Sequence, residues 1–451
     1  MQKNVFKKSK SIYFIGIGGI GISAIARKFL SEGKKVSGSD SSDSGIISEL
    51  KKAGAKITIG HNAKNLPKDT DLVIYTIAIT SENPEFKEAK KRGIEMITYP
   101  EALHEISKEK YTIAVSGTHG KTTTTAMIAK ILMEAGLDPT VVVGSLLKSS
   151  EVSPQGAKRG EVNPQTIFNT NFISGKSKFL VVEACEYKKS FLNIEPTIAV
   201  VTNIDNDHLD FYKDIKDIQN AFTEFVGKVP KNGYVIANIK DKVVSPALIN
   251  NVGKIVDSNE FRDDKIKMKV PGEHNRKNAS MALAVAHLLG IDKKKAQKSI
   301  EEFAGTWRRF EHKGETKNGV IVYDDYGHHP TEIKATLKAA REFFGEKKII
   351  VVFQPHLYSR TKLLLNDFAQ SFNDVDNVIL APIYAAREAY DKTISSDILA
   401  KKIKGKTKAI SLPNFEEIEK HLAKNLKKGD ILITIGAGDV YKIGENLLQN
   451  K

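Results

Sequence analysis

Short apolar runs separated by polar, helix-length segments dominate this chain. From the amino end, SIYFIGIG (11–18), KVSGSD (35–40), KITIGH (56–61), DLVIYTIA (71–78) and EMITYP (95–100) read as strands, with amphipathic stretches between them. A second series follows with YTIAVS (111–116), FLVVEA (179–184), PTIAVVTNI (196–204) and GYVIANI (233–239), and a helix is expected over 275–289. A third comprises GVIVYDDY (319–326), KKIIVVFQP (347–355), NVILAPIY (377–384) and DILITIGAG (430–438). Strands that alternate with helices predict parallel α/β architecture. The stretch IDKKKAQKSIEEFAGTW (291–307) reads as a charged connection, and Lys148 to Thr170, rich in Ser, Pro, Gly and Lys, as a long loop of the kind that is mobile or functional. Three domains are expected, at 1–106, 107–305 and 306–451.

Length and composition narrow the class. A chain of 451 residues exceeds what one core normally serves. The single cysteine, Cys185, excludes a disulfide framework and suits a reducing cytoplasm. Lysines ahead of SIYFIGIGGIGISAIA imitate a secretory leader, but the glycine spacing inside that run has its own explanation, and no apolar run reaches membrane length. The net charge of +15 is spread among acidic residues without interleaved aromatics, which argues for a solvated surface and against nucleic acid. A positive field also favours polyphosphate substrates.

The richest chemistry lies in SGTHGKTTTT (116–125), between a strand and a helix. Gly117, Thr118, His119 and Gly120 can turn backbone N–H groups and a helix N-terminus toward an anion, Lys121 can neutralise phosphates, and Thr122, ahead of Thr123, offers a hydroxyl to a phosphate-bound cation. Only two residues separate the glycines, against four in the usual phosphate loop. GIGGIG, with Gly16, Gly18, Gly19 and Gly21, is followed at a strand end by Asp40 and fits either a nicotinamide cofactor or a UDP-sugar. Glu183 ends an apolar strand, where Mg²⁺ or a transferring phosphoryl group can be held. TNIDNDHLDFY places Asp205, Asp207, His208 and Asp210 after another strand, as helix caps or cation ligands. His274, Asn275 and Asn278 open a helix; Arg308 and Arg309 could reach phosphates. Asp325, Tyr326, His328, His356 and Arg360 gather at one edge of the last sheet, without a zinc-site pattern.

Together, G-T-H-G-K-T-T, E-A-x-E ahead of S-F-L, T-N-I-x-x-D-H, G-x-H-N-x-x-N, R-R-F-E, D-D-Y-G-H-H-P-T-E and Q-P-H-x-Y-S-R-T resemble the Mur ligases, specifically their alanine-adding branch. The resemblance spans all three blocks. It implies an α/β fold with a Rossmann-like N-terminal domain holding a UDP-sugar, a central P-loop ATPase-like parallel sheet holding ATP and Mg²⁺, and a Rossmann-like C-terminal domain for the amino acid. The implied reaction joins L-alanine to UDP-N-acetylmuramate through an acyl phosphate, with domain closure excluding water. The nearest alternative adds a preformed tripeptide.

By matched position, Lys121, Glu183, His208 and Arg309 would be catalytic, and Thr122, Glu183 and His208 would hold metal. ATP would meet residues 117–123, His274, Asn275, Asn278, Arg309 and Asp325. The sugar nucleotide would meet Gly16, Gly18, Gly19, Gly21, Asp40 and Asn171, and the amino acid Tyr326, His328, His356 and Arg360. A monomer or homodimer is expected, with neither nucleic acid nor membrane as partner. Two departures from the family pattern stand out: Cys185-Glu186-Tyr187-Lys188 replaces a run with two more carboxylates, and Leu357 replaces an arginine. With Leu357 in that place Arg360 is the only guanidinium of its motif, so an arginine at 357 is expected to strengthen alanine binding, unless Leu357 lies in the core and another base such as Arg387 serves.

Overall fold

The computed structural model describes residues 5–147, 170–209, 211–386 and 388–449. Asp210, Arg387 and nearly all of the loop expected over 148–170 lie outside them. Three sheets account for the described strands. The first contains β1 (Ser11–Ile15), β2 (Lys35–Asp40), β3 (Lys56–Ile59), β4 (Leu72–Tyr75) and β5 (Glu95–Thr98), all parallel, in the order β3-β2-β1-β4-β5. The second contains β6 (Tyr111–Ser116), β7 (Thr140–Leu147), β8 (Thr170–Ile173), β9 (Phe179–Glu183), β10 (Ile198–Val201), β11 (Tyr234–Ala237) and β12 (Lys254–Asp257), ordered β12-β11-β10-β6-β9-β7-β8. The third contains β13 (Glu311–Glu315), β14 (Ile321–Asp325), β15 (Ile349–Phe353), β16 (Asn377–Leu380), β17 (Lys408–Ser411) and β18 (Ile431–Ile435), ordered β13-β14-β18-β15-β16-β17. Among the described strands the pairs β7–β8 and β13–β14 are antiparallel and the other pairs parallel.

The strand sequences explain this placement. β1, β15 and β18 are buried at every residue, as parallel strands covered on both faces must be. The edge strands β3, β12 and β17 each open on an exposed lysine (Lys56, Lys254, Lys408), which discourages pairing with another chain. The chain forms two compact units: residues 1–266 with 277–302, and residues 267–276 with 303–451. The first holds two sheets over one continuous core, which includes Phe14 and Phe29 beside the first sheet and Phe191, Phe222 and Phe225 beside the second. Each such buried ring contributes roughly 1.5–3 kcal/mol.

Two helices join the sheets of the first unit. Tyr99–Ser107 starts on a capping box, with Thr98 and Glu101 each satisfying the other's backbone N–H, and runs from the first sheet to β6. Ile20–Ser31 lies against β7 and β8. The expected connection over 291–307 contains a helix, Lys293–Glu302, whose Ala296, Ser299 and Ile300 are buried; it packs on the helix Lys121–Glu134.

Candidate active site

The GIGGIG loop leaves β1 between β2 and β4, at the switch point of the first sheet where ligands of open parallel sheets bind. Gly16 has φ +81°, and a Cβ there would come within 2.5 Å of Thr76 after β4, so the loop needs glycine for both conformation and space. Asp40 turns inward: its Oδ2 accepts the Gly18 N–H at 2.8 Å and fixes the loop. Gly19 caps the helix Ile20–Ser31 without a side-chain bond, leaving first-turn N–H groups for an anion. Asn171 is fully buried on β8, and its amide donates to Ile20 O and, at 2.8 Å, to Ser23 Oγ. Asn171 thus ties the central sheet to the helix that the first glycine loop opens.

The second loop is more constrained. Gly117 has φ +133° and Gly120 φ +81°; a Cβ on Gly117 would overlap the Thr202 hydroxyl, and one on Gly120 would come within 2.5 Å of Asn278 Oδ1. Residues after β10 clamp the loop: His119 N–H donates to Asn203 Oδ1 (2.9 Å), His119 O accepts from Thr202 Oγ1 (2.6 Å), and His119 Nε2 lies 3.0 Å from Asp205 Oδ2. Gly120 caps the helix Lys121–Glu134 with no side-chain bond, which leaves a helix N-terminus fit for phosphate.

Lys121 folds back, donating to Gly117 O (2.5 Å) and Thr118 O (3.0 Å) and pairing with Glu186 at 2.9 Å. Burial opposes the ammonium charge, but the combined pull of Glu186, Cys185 and Glu183 outweighs it and raises the Lys121 pKa above the ordinary lysine value. Thr122 Oγ1 donates to Glu183 Oε1 at 3.1 Å, and Glu183 Oε2 accepts the Gly144 N–H at 2.7 Å. A hydroxyl and a carboxylate held this close form a hard-oxygen donor set that suits Mg²⁺. His208, in the left-handed region at φ +54°, packs against Tyr187 with centroids 4.7 Å apart and rings tilted by 37°, and faces Glu186 at 3.7 Å. Glu186, with a side chain only 3% exposed, is therefore the common partner of Lys121 and His208. Sequence reading gave it no role; the second carboxylate of E-A-x-E was the available signal.

In the second unit, Tyr326 and His328 follow β14, and His356 and Arg360 follow β15. The His328 and His356 rings are 5.6 Å apart, the Tyr326 and His328 rings 5.4 Å, and Arg360 Nη1 lies 2.9 Å from His356 Nδ1. All four residues expected at the amino acid therefore meet. Asp325 accepts N–H bonds from Phe310 (2.7 Å) and Gly327 (2.8 Å), and burial pushes its carboxyl up to about 6 against the pull of Arg309. Arg309 lies 3.8 Å from Glu332 and over the Tyr326 ring. Arg308 is buried against Asp324. Where the chain passes between the units, Asn275 bonds back to Pro271 O at 2.7 Å, and the His274 ring packs against Gly272.

Leu357 corrects an expectation. It is buried at 5% exposure with φ +69°, and its N–H donates to Tyr384 O at 2.9 Å, so its side chain belongs to the core and not to a carboxylate site. Leu357→Arg should leave the alanine KM unchanged and lower the melting temperature, at a cost of about 2 kcal/mol or more for an unpaired buried cation. Differential scanning fluorimetry beside alanine titration checks this, and an improved KM would place residue 357 at the carboxylate site after all.

The two phosphate-type loops and the polar cluster of the third sheet define an α/β enzyme that uses nucleotides. The sequence model of the Mur ligase family catalytic domain matches residues 11–111, that of the Mur ligase middle domain 115–257, and that of the Mur ligase glutamate ligase domain 308–438. The chain belongs to the Mur ligase family. It is 46% identical to the UDP-N-acetylmuramate--L-alanine ligase of Clostridium acetobutylicum over 98% of both chains, and 44% identical to the enzyme of that name from Acetivibrio thermocellus over 98% of this chain and 97% of the other. Among solved structures it resembles the UDP-N-acetylmuramate-alanine ligase MurC of Thermotoga maritima, with TM-score 0.79, 28% identity and 98% of both chains covered. A murein peptide ligase from Psychrobacter arcticus shares the fold, with TM-score 0.71, 24% identity and 98% of both chains covered. No helix among the described residues is long and apolar enough to cross a membrane.

Proposed function

We infer that this chain joins L-alanine to the lactyl carboxylate of UDP-N-acetylmuramate at the expense of ATP, the first peptide step of peptidoglycan precursor synthesis. The observation that carries the reading is agreement over essentially the whole chain with enzymes named for this reaction, all three sheets included. Residues 1–106 are assigned to the sugar nucleotide, 107–305 to ATP and 306–451 to the amino acid, and the cytoplasm is the site of action.

The chemistry follows from the residues. Residues 117–123 bind the triphosphate through backbone N–H groups, while Lys121 exchanges its bonds to Gly117 O and Thr118 O for phosphate oxygens and keeps Glu186. Thr122 and Glu183 would hold Mg²⁺, with His208 as a further ligand; the cation supplies charge neutralisation at the phosphates when bound. Asn275, Asn278 and His274 are assigned to the adenine, Asp325 to the ribose and Arg309 to phosphate; Gly16 to Gly21 and Asp40 are assigned to UDP, and Asn171 to the muramate side.

The lactyl carboxylate attacks the γ-phosphorus in line and ADP leaves. The neutral amine of alanine, placed by Tyr326, His328, His356 and Arg360, then attacks the acyl carbonyl and expels phosphate. No protein nucleophile is required, so Cys185 has no covalent part. Phosphate release with UDP-N-acetylmuramate, ATP and Mg²⁺ should be fastest with L-alanine, slower with glycine and L-serine, and absent with the preformed tripeptide. Preference for the tripeptide would make this a recycling ligase instead.

A further inference from the structure

The polar cluster after β14 and β15 accounts for the carboxylate and amine of an amino acid but leaves its side chain without a wall. Two aromatic rings border the cluster. Tyr326 is committed, with the guanidinium carbons of Arg308 and Arg309 each 5.2 Å from its ring centroid. Tyr384, after β16, is not committed in this way. Its ring stacks on His356 at 5.8 Å and 21°, yet the residue keeps 41% of its surface exposed.

The backbone fixes that ring firmly. His356 and Tyr384 form a parallel bridge that extends β15 and β16; Tyr384 N–H donates to Pro355 O at 2.8 Å, and Tyr384 O accepts from Leu357 N–H at 2.9 Å. Beneath the ring, a Cβ on Gly438 after β18 would come within 2.4 Å of Gln354 Oε1 and 3.0 Å of Tyr384 Cγ, so the missing side chain lets the ring lie close to the turn after β18. His356 therefore has Tyr384 stacked on it, His328 edge-on at 5.6 Å and Arg360 bonded to Nδ1. A rigid ring with free surface beside fixed hydrogen-bonding groups is how a small site selects an apolar substituent.

We propose that Tyr384 is the specificity-determining wall of the amino-acid site: alanine's methyl group packs on its ring, and the ring excludes longer side chains. This rests on the assignment of the amino acid to the His328, His356 and Arg360 cluster. Each methylene in such a pocket is worth roughly 10- to 200-fold in discrimination.

The test is phosphate release by the full chain with UDP-N-acetylmuramate and ATP, comparing L-alanine, L-2-aminobutyrate and L-valine. Tyr384→Ala should raise kcat/KM for 2-aminobutyrate and valine relative to alanine at least tenfold and leave the KM for ATP unchanged. Tyr384→Phe should keep the original ratios, because the ring and not the hydroxyl acts; Tyr384→Leu serves as the readout should the alanine variant melt early. Unchanged ratios in Tyr384→Ala or Tyr384→Leu would overturn the proposal. A parallel Arg360→Ala variant reports on the underlying assignment: if its alanine KM does not rise, the amino acid binds elsewhere and the role of Tyr384 falls with that reading.

Discussion

Lys121→Ala should abolish alanine-dependent phosphate release, by at least the 10²- to 10³-fold that follows loss of one preorganised charge-stabilising donor, while UDP-N-acetylmuramate binds within a few-fold of normal. The sugar-nucleotide loop belongs to a different sheet, so calorimetric titration with UDP-N-acetylmuramate checks the second half directly. The substitution has a second consequence. Lys121 neutralises Glu186, whose carboxylate is nearly sealed from solvent, and removing one partner of a buried pair typically costs about 3–5 kcal/mol because the other charge is left behind. Lys121→Ala should therefore also melt several degrees lower. Adding Glu186→Gln removes the stranded charge, so the double variant should regain most of the melting temperature and none of the activity. If the double variant recovered turnover, Lys121 would be a structural cation and the phosphate assignment would fail.

That division between charge for folding and charge for chemistry explains how far the sequence could be read. Residues that chemistry singles out by type were visible: Gly117, Gly120, Lys121 and Thr122 have no packing rationale as a set, and Glu183 sits at a strand end. Their partners were not. Glu186 meets Lys121 from the irregular segment between β9 and the short helix Tyr187–Asn193, a placement that no periodicity encodes. Nothing in the spacing of Asn171 announced its bonds to a helix more than a hundred residues away.

The fold shows the same contrast. Fully buried central strands were plain as apolar runs, whereas β8, β12, β13 and β17 are short edge strands whose lysines, charges or single apolar pairs read as loop. β7 is an exception, since Val141 to Val143 form an apolar run as legible as those of the central strands. The helix Lys293–Glu302 was obscured by four lysines, although Ala296, Ile300 and Phe303 carry the helical period and all three are buried. Leu357 failed differently. Family pattern put a charge at that position, but a left-handed backbone turned the side chain into the core.

Arg308 and Arg309 make the final case, because adjacent arginines of one motif should fail in opposite ways. Arg308 is 3% exposed in its side chain and donates Nε to Asp324 at 2.7 Å, Nη1 to Gly438 O at 2.9 Å and Nη2 to Gly436 O at 2.5 Å. It pins the start of the second unit to β14 and to the glycine turn after β18, and its guanidinium lies 4.6 Å from the Tyr441 ring centroid. Arg308→Ala removes the only cation paired with the buried Asp324 among the described residues, leaving it the Thr434 hydroxyl alone, and takes this donor from two carbonyls; it should destabilise the fold by about 3–5 kcal/mol or more. Arg309 makes no such buried network: it has a distant ion pair with Glu332 at 3.8 Å and a cation–π contact with Tyr326, worth about 1 kcal/mol together when partly exposed, beside its attraction to the Asp325 carboxylate. Arg309→Ala should melt near the parent temperature yet lose kcat by ten- to a hundredfold, as expected for a cation that serves phosphate. Thermal melts and steady-state kinetics on the two variants separate the roles: equal loss of stability in both would make the whole motif structural and remove Arg309 from the reaction.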